Sequence, residues 1–488
     1  KRAMVANATG NSFKIINAEN GSEAYSGNLK NLGKVVRPGM WINGAFNSIT
    51  TVYEFEVAES EETLFEAVFS DLNTPGQYYL VAGNDTSATF RIDDKIFNYI
   101  FENALKFFGV NRCGDTHSWI HGPCHLMDGA DIGKPGALAG GWHDCGDHFK
   151  VSETLGYTAL MLSMTYALWP EKAEDFYGAS YNDTLPFGTD GIPDLLWESK
   201  VGADYIFKLY KASVEDGLLA QNDMYHSVGV AMADHHYWDM PERQDVQPAA
   251  RGGNPRVVAK GIGGNVAGMY TAALAFFAWG WEPFDKPYAD SILAAAEDMY
   301  AKLVIPLIGK NTDNLEGFYT GAGQMHDDPA MAAVALWFAT KKKEYGYDLL
   351  ENPQLGSAPN AVYNQGVFPL GLFGREPFHH GGWMTDYQQV NALAMYAFAK
   401  LIVPNNAKAA EYGIEPVVRD SLMQDAVENL RASVEIGSNG SERITTASGG
   451  IINADFPYYG VFTSADWGFN RYNMGLVIEL FMMWDLKI

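Results

Sequence analysis

Cysteine is nearly missing: three in 488 residues, an odd number and far too few for a disulfide framework. Long apolar runs are missing too. None approaches the roughly 18 to 20 residues that span a bilayer, so no membrane association is expected. Basic residues are scarce, 34 Lys and Arg against 59 Asp and Glu, for a net charge of −25. Such a balance repels nucleic acid and anionic membranes but not a neutral polymer, so no nucleic acid is expected as partner. The chain starts at Lys1 without a methionine or an apolar leader and reads as a mature or trimmed segment. No helical repeat of about 34 residues is evident, which disfavours a solenoid.

What is present divides in two. Residues 1–90 carry short alternating runs, TVYEFEV at 51–57 and QYYLVA at 77–82, separated by Gly, Asn, Asp and Pro. That pattern predicts a small β-sandwich. From 91 to 488 the texture is helical, with predicted helices at 94–108, 152–168, 193–210, 265–279, 289–303, 329–345, 385–401, 417–434 and 473–484. Several are apolar on more than one face, as suits the inner ring of a double helical layer. Aromatics, glycines and histidines gather in the loops, which is where a site is expected.

The stretch Gly140–His148, GGWHDCGDH, puts Asp144 and Asp147 three positions apart in a glycine-rich turn. They read either as cap residues ahead of the helix at 152 or as carboxylates gripping a water. Cys113, Cys124, His125 and His143 offer four soft or borderline ligands that could close a tetrahedral zinc site, though their spacing fits no zinc-finger pattern. Asp327 and Asp328 are hard ligands suited to calcium, or an acidic start to the helix at Pro329.

GGWHDCGDH resembles the GGW-x-D-A-G-D-x signature of glycoside hydrolase family 9, with Cys145 in place of the usual alanine. Other motifs of that family follow in its order: FRIDDKIFNYIFENALKFFGVNRCG at 90–114, HGPCH at 121–125, DHHYWDMPE at 234–242, YTGAGQMHDDPAMAAVALW at 319–337 and WGFNRY at 467–472. The resemblance implies a mainly α chain: an (α/α)6 barrel over 91–488, here without its last helices, preceded by an immunoglobulin-like β-sandwich at 1–90. It implies a secreted, inverting endo-β-1,4-glucanase acting on cellulose or a related β-glucan polysaccharide. Other family activities (cellobiohydrolase, xyloglucanase, glucosaminidase) and a non-catalytic glucan-binding protein are the alternatives.

The same resemblance makes Asp147 the general base, with Asp144 helping to hold the water. Trp467, Arg471, Tyr472, Tyr319, Trp383, His235 and Trp238 become candidates for the sugar cleft. Cys113, Cys124, His125 and His143 become ligands of a structural zinc. Calcium falls to Asp327, Asp328 and Asp386 with the main-chain carbonyls of Gly323 and Gln324. The family's acidic glutamate motif is not found before Ile488, so the general acid is expected beyond residue 488, on a second polypeptide fragment that completes the barrel. His379-His380 reads as a loop pair, and Asp466 and Glu479 are poor substitutes for the acid.

Overall fold

The computed structural model describes residues 1–39, 56–115, 118–175, 190–313, 326–356, 370–374, 385–438, 444–445, 451–452 and 469–487. They form two compact units, Lys1–Ala104 and Leu105–Ile488.

The first unit is antiparallel β structure. Strands β1 (Arg2–Ala6), β2 (Ser12–Asn17), β3 (Glu23–Gly39), β4 (Glu56–Val68), β5 (Gly76–Ala82), β6 (Asp85–Thr86) and β7 (Phe90–Ile92) pair in the order β1-β4-β3-β2-β5-β6, with β7 also on β5. Period-two alternation decides the inner face: Phe13 and Ile15 of β2 and Tyr78, Leu80 and Ala82 of β5 are buried, their neighbours less so. Ala67, Phe69, Leu72 and Ile92 close this core; the expected strands are present and pair as one seven-stranded sheet.

The helices run α1 (Asn98–Val110), α2 (Ser152–Leu168), α3 (Asp194–Glu215), α4 (Ala231–His235), α5 (Gly264–Trp281), α6 (Lys286–Met299), α7 (Asp327–Thr340), α8 (Lys343–Leu350), α9 (Asn391–Ala397), α10 (Asn406–Glu411), α11 (Pro416–Ser438) and α12 (Phe469–Leu486). Helices α2, α5, α7 and α9 pack side by side in that order, buried on nearly every face. Amphipathic α3, α6, α8 and α11 pack behind them. This inner and outer alternation is that of an (α/α)6 barrel. Small residues permit the tight inner packing: a Cβ at Gly268 of α5 would lie 2.5 Å from the Asp328 backbone of α7.

Two expected helices differ. The run 329–345 is two helices, because Lys341 takes the left-handed conformation (φ 59°) and ends α7. The run 385–401 starts as a turn and becomes helical only at Asn391. Nor do the aspartates cap α2, whose N-cap is Val151 without a side-chain cap bond. The cap reading of Asp144 and Asp147 therefore falls.

Candidate functional site

Segment 111–114 organises the site by pairing on two sides. Cys113 N donates to Gly141 O (2.8 Å) and His143 N to Asn111 O (2.9 Å), while Cys124 N donates to Gly114 O (3.1 Å). Gly141 turns the chain at φ 76°, and a Cβ there would meet the Tyr205 ring at 2.9 Å. Buried ions fix the surroundings: Arg112 pairs with Glu198, and Glu198 also accepts from Trp142 Nε1 at 2.8 Å. Lys150 Nζ pairs with Asp128 and donates to Leu138 O and Gly140 O. Arg256 bridges Asp128 and Asp234 and donates to His148 O. Every charge in this group has an opposite partner, the condition under which burial is tolerated.

That pairing brings the four soft donors together, all buried. Cys113 Sγ and His125 Nδ1 are 3.5 Å apart, Cys124 Sγ and His143 Nε2 3.5 Å, the two sulfurs 3.9 Å, and the two nitrogens 3.4 Å. A tetrahedral zinc with ordinary bond lengths requires about 3.55 Å for S to N, about 3.75 Å for S to S and about 3.35 Å for N to N. The donor set fits. Burial opposes ionisation of the Cys113 thiol, but the Cys124 bond, Lys150 and the histidines outweigh it and bring the thiol well below its ordinary range. Burial depresses His143, so the ring is neutral, as a ligand must be.

The residues around the four donors are equally ordered. Gln244 Oε1 accepts from His125 Nε2 (2.8 Å) and from His148 Nδ1 (2.7 Å), and its Nε2 donates to Asp234 Oδ1 (2.9 Å). With Nε2 engaged by Gln244, Nδ1 of His125 is the atom that could hold a metal. Burial drives His148 down to about 3, keeping it uncharged beside the cluster.

The same loop carries the carboxylates. Asp147 is fully buried; its Oδ1 accepts from Phe149 N (3.0 Å), and its Oδ2 lies 2.7 Å from Cys145 Sγ and 3.5 Å from His235 Nε2. Asp144 Oδ1 accepts from Thr154 Oγ1 at 2.6 Å. Carboxylate oxygens of Asp144 and Asp147 approach within 4.8 Å, too close to flank a glycosidic bond as acid and base, which inverting hydrolysis sets about 6.5 to 9.5 Å apart. Burial and the neighbouring carboxylate raise the Cys145 thiol to about 11. Trp238, 64% exposed, covers Gly146 so closely that a Cβ there would meet its ring at 2.4 Å, and its Nε1 donates to His235 O. An exposed aromatic face thus stands beside the buried carboxylate, as a sugar-stacking surface does.

The structure therefore gathers Asp144, Asp147, His235 and Trp238 with the Cys and His cluster. Tyr319, Gly323, Gln324, Trp383 and Trp467 lie outside the described residues, as do His379-His380 and Asp466; Arg471 and Tyr472 start α12, but their side chains lie outside the description.

Asp327, Asp328 and Asp386 are buried, yet among the described residues they do not gather as a three-ligand cluster. Asp327 Oδ2 accepts from Val390 N (2.6 Å), and Glu479 Oε1 accepts from Thr385 N (2.9 Å) and Thr385 Oγ1 (3.0 Å). Burial raises Asp327, Glu479 and also Glu153 of α2 to about 7 each. A raised carboxylate binds its proton more tightly when folded, so the stability it gives is complete below about pH 4 and is lost as pH rises through about 7. The expected result is a melting temperature that falls between pH 5 and pH 8 in chelator, measured by circular dichroism. If calcium binds the ionised carboxylates, adding it at pH 8 restores the lost degrees; no response to calcium indicates that protons alone fill the role.

Sequence reasoning missed Gln244, Glu198 and the ion group of Lys150, Asp128 and Arg256, and it gave Asp234 no role beyond its motif. A buried amide in a short helical turn carries no local signal. Lys150 offered one, as a lone cation at the mouth of an apolar run.

A model of the family described as Glycosyl hydrolase family 9 matches residues 97–487. A cellodextrinase of Butyrivibrio fibrisolvens is 25% identical over 369 residues, 72% of this chain and 58% of its own length. Endoglucanase 4 of Bacillus sp. (strain KSM-522) is 27% identical over 259 residues, 51% of this chain and 36% of its own, and Endoglucanase A of Fibrobacter succinogenes is 28% identical over 286, 54% and 60%. The chain thus spans less than two thirds of each. Among solved structures, a metagenome-derived glycoside hydrolase family 9 endoglucanase superposes with a TM-score of 0.62 at 22% identity, covering 100% of this chain and 77% of that one. The cellulase Cel9M of C. cellulolyticum in complex with cellobiose gives 0.54 at 21%, covering 80% and 74%. At such identities the likeness shows the fold.

Proposed function

Because the chain belongs to glycosyl hydrolase family 9, we propose that this glycoside hydrolase cleaves β-1,4-glucans, cellulose or a relative, with inversion at the anomeric carbon. The observation that carries the reading is the Asp147 carboxylate, buried and gripped at both oxygens, next to the exposed ring of Trp238. Asp147 takes a proton from a water that attacks C1 of the sugar, and Asp144 holds that water from the other side. His235 and Trp238 line the sugar, and Arg471, Tyr472, Tyr319, Trp383 and Trp467 are proposed to continue the wall.

The proton donor is assigned by resemblance to a glutamate beyond residue 488, on the same polypeptide or a second one. Comparing hydrolysis by residues 1–488 with that of a gene product extended past Ile488 tests this. Equal activity from the shorter chain overturns it.

Zinc is proposed as a structural ion held by Cys113, Cys124, His125 and His143, the four atoms whose separations match its tetrahedron. When bound it cross-links segments 111–114, 124–125 and 143, so the base loop is held from behind. Calcium at Asp327, Asp328 and Asp386, with the carbonyls of Gly323 and Gln324, is the proposed second ion. Cellulose cannot enter a cell, which supports a secreted protein.

An endo mode is the reading preferred, and the cellodextrinase relative supports a second, release of short sugars from oligosaccharide ends. Carboxymethylcellulose viscosity against reducing-sugar release separates them. A steep viscosity fall per bond cut supports endo action; sugar release at constant viscosity supports the alternative; binding to glucan with no release from the extended product defeats both.

A further inference from the structure

Cys145 occupies the position where the resemblance leads one to expect alanine, and it is the exposed one of the chain's three cysteines. Its sulfur does not point idly to solvent. It lies 2.7 Å from Asp147 Oδ2, the oxygen that also faces His235 Nε2 at 3.5 Å. The tautomer of His235 follows from its other nitrogen. Nδ1 sits 2.6 Å from Ala231 O, and a carbonyl can only accept, so Nδ1 carries the hydrogen. Nε2 is the nitrogen turned toward the carboxylate. Among the described residues the hydrogen bonds on the Asp147 carboxylate are those of Phe149 N at Oδ1 and the Cys145 thiol at Oδ2.

We propose that Cys145 is a positioning residue for the base, its S–H bond fixing the plane of the Asp147 carboxylate toward the attacking water. The inference rests on Asp147 being the base. Oδ2 keeps its place because the thiol hydrogen lies on it. Without that hydrogen the carboxylate rotates about χ2, held at one oxygen by Phe149 alone, and the water is aimed less often at the sugar. Substrate is bound by other groups, so the effect falls on kcat.

The test compares Cys145→Ala and Cys145→Ser in the extended, zinc-loaded protein on a soluble cello-oligosaccharide. Loss of one neutral hydrogen bond lowers kcat about fivefold in Cys145→Ala with KM within about twofold, and the serine hydroxyl restores most of it. Methyl methanethiosulfonate supplies a second readout. The Cys145 sulfur gives up its proton to solvent and attacks the sulfenyl sulfur, an S–S bond forms, and methanesulfinate leaves. The methylthio group then stands where the donor hydrogen was, so hydrolysis falls until dithiothreitol removes it, and neither variant responds to the reagent. Wild-type kcat in Cys145→Ala, or a labelled Cys145 with unchanged hydrolysis, overturns the proposal. An Asp147→Asn variant that still hydrolyses would instead remove the base assignment, which keeps the two failures apart.

Discussion

Asp147→Asn is expected to lower the catalytic rate about 10²- to 10⁴-fold with the fold intact, the contribution of a positioned general base, the role proposed for Asp147. Asparagine fills the same volume. Its Oδ1 can still accept from Phe149 N, and its amide fills the space beside His235 Nε2. What it cannot do is take a proton from water. The variant should therefore melt within a few degrees of wild type by calorimetry and bind cello-oligosaccharide with similar affinity. Asp144→Asn should lower the rate less, since that carboxylate is anchored to Thr154 and is proposed to help hold the water without receiving its proton. A rate within tenfold of wild type for Asp147→Asn would mean that the proton goes elsewhere.

The second large effect is on the metal. Protein purified without chelator should carry about one zinc per chain by plasma mass spectrometry, and Cys124→Ser or His125→Ala should carry almost none. Losing the ion would remove the cross-link that adds to the few main-chain bonds between these segments, and would leave two thiols and two imidazoles buried around a gap. The cost is expected at a few kcal/mol, in the upper range for one substitution, seen as a melting temperature lower by several degrees. Gln244→Ala is the finer test. It leaves all four ligands in place but removes the acceptor on His125 Nε2, and should weaken zinc about 10- to 100-fold in a chelator competition. Activity should fall with occupancy, because His143 and Asp144 are consecutive and the ligand fixes where the carboxylates start. Wild-type stability and activity after complete zinc removal would contradict this arrangement.

Much of the fold is legible in the sequence because its signals are local. Ser152–Leu168 can be read to the residue, since Trp169 and Pro170 end the apolar run, and the alternation at 77–82 marks β5. Where a boundary depends on one backbone angle, as at Lys341, a lysine gives no warning. The site is legible in a different way. Asp147 and the four Cys and His residues of the candidate metal cluster stand out through motif resemblance, but spacing alone leaves them among bland alternatives, because the pairing of segment 111–114 with 124 and 141–143 that unites them is long-range. Gln244 is invisible for the same reason, being over one hundred positions from His125. Glu479, set in an apolar helix, reads from sequence only as a poor acid, and its bonds to Thr385 show a carboxyl that anchors the turn before α9.

The most direct measurement is the configuration of the sugar at the instant it is released. Proton NMR of a cellohexaose digest by the extended protein should show the α-anomer signal first, with the β-anomer growing in by mutarotation, because a water activated by Asp147 attacks opposite the departing oxygen. A β-anomer present from the earliest spectrum would contradict a base-activated single displacement and, with it, the role given to the loop.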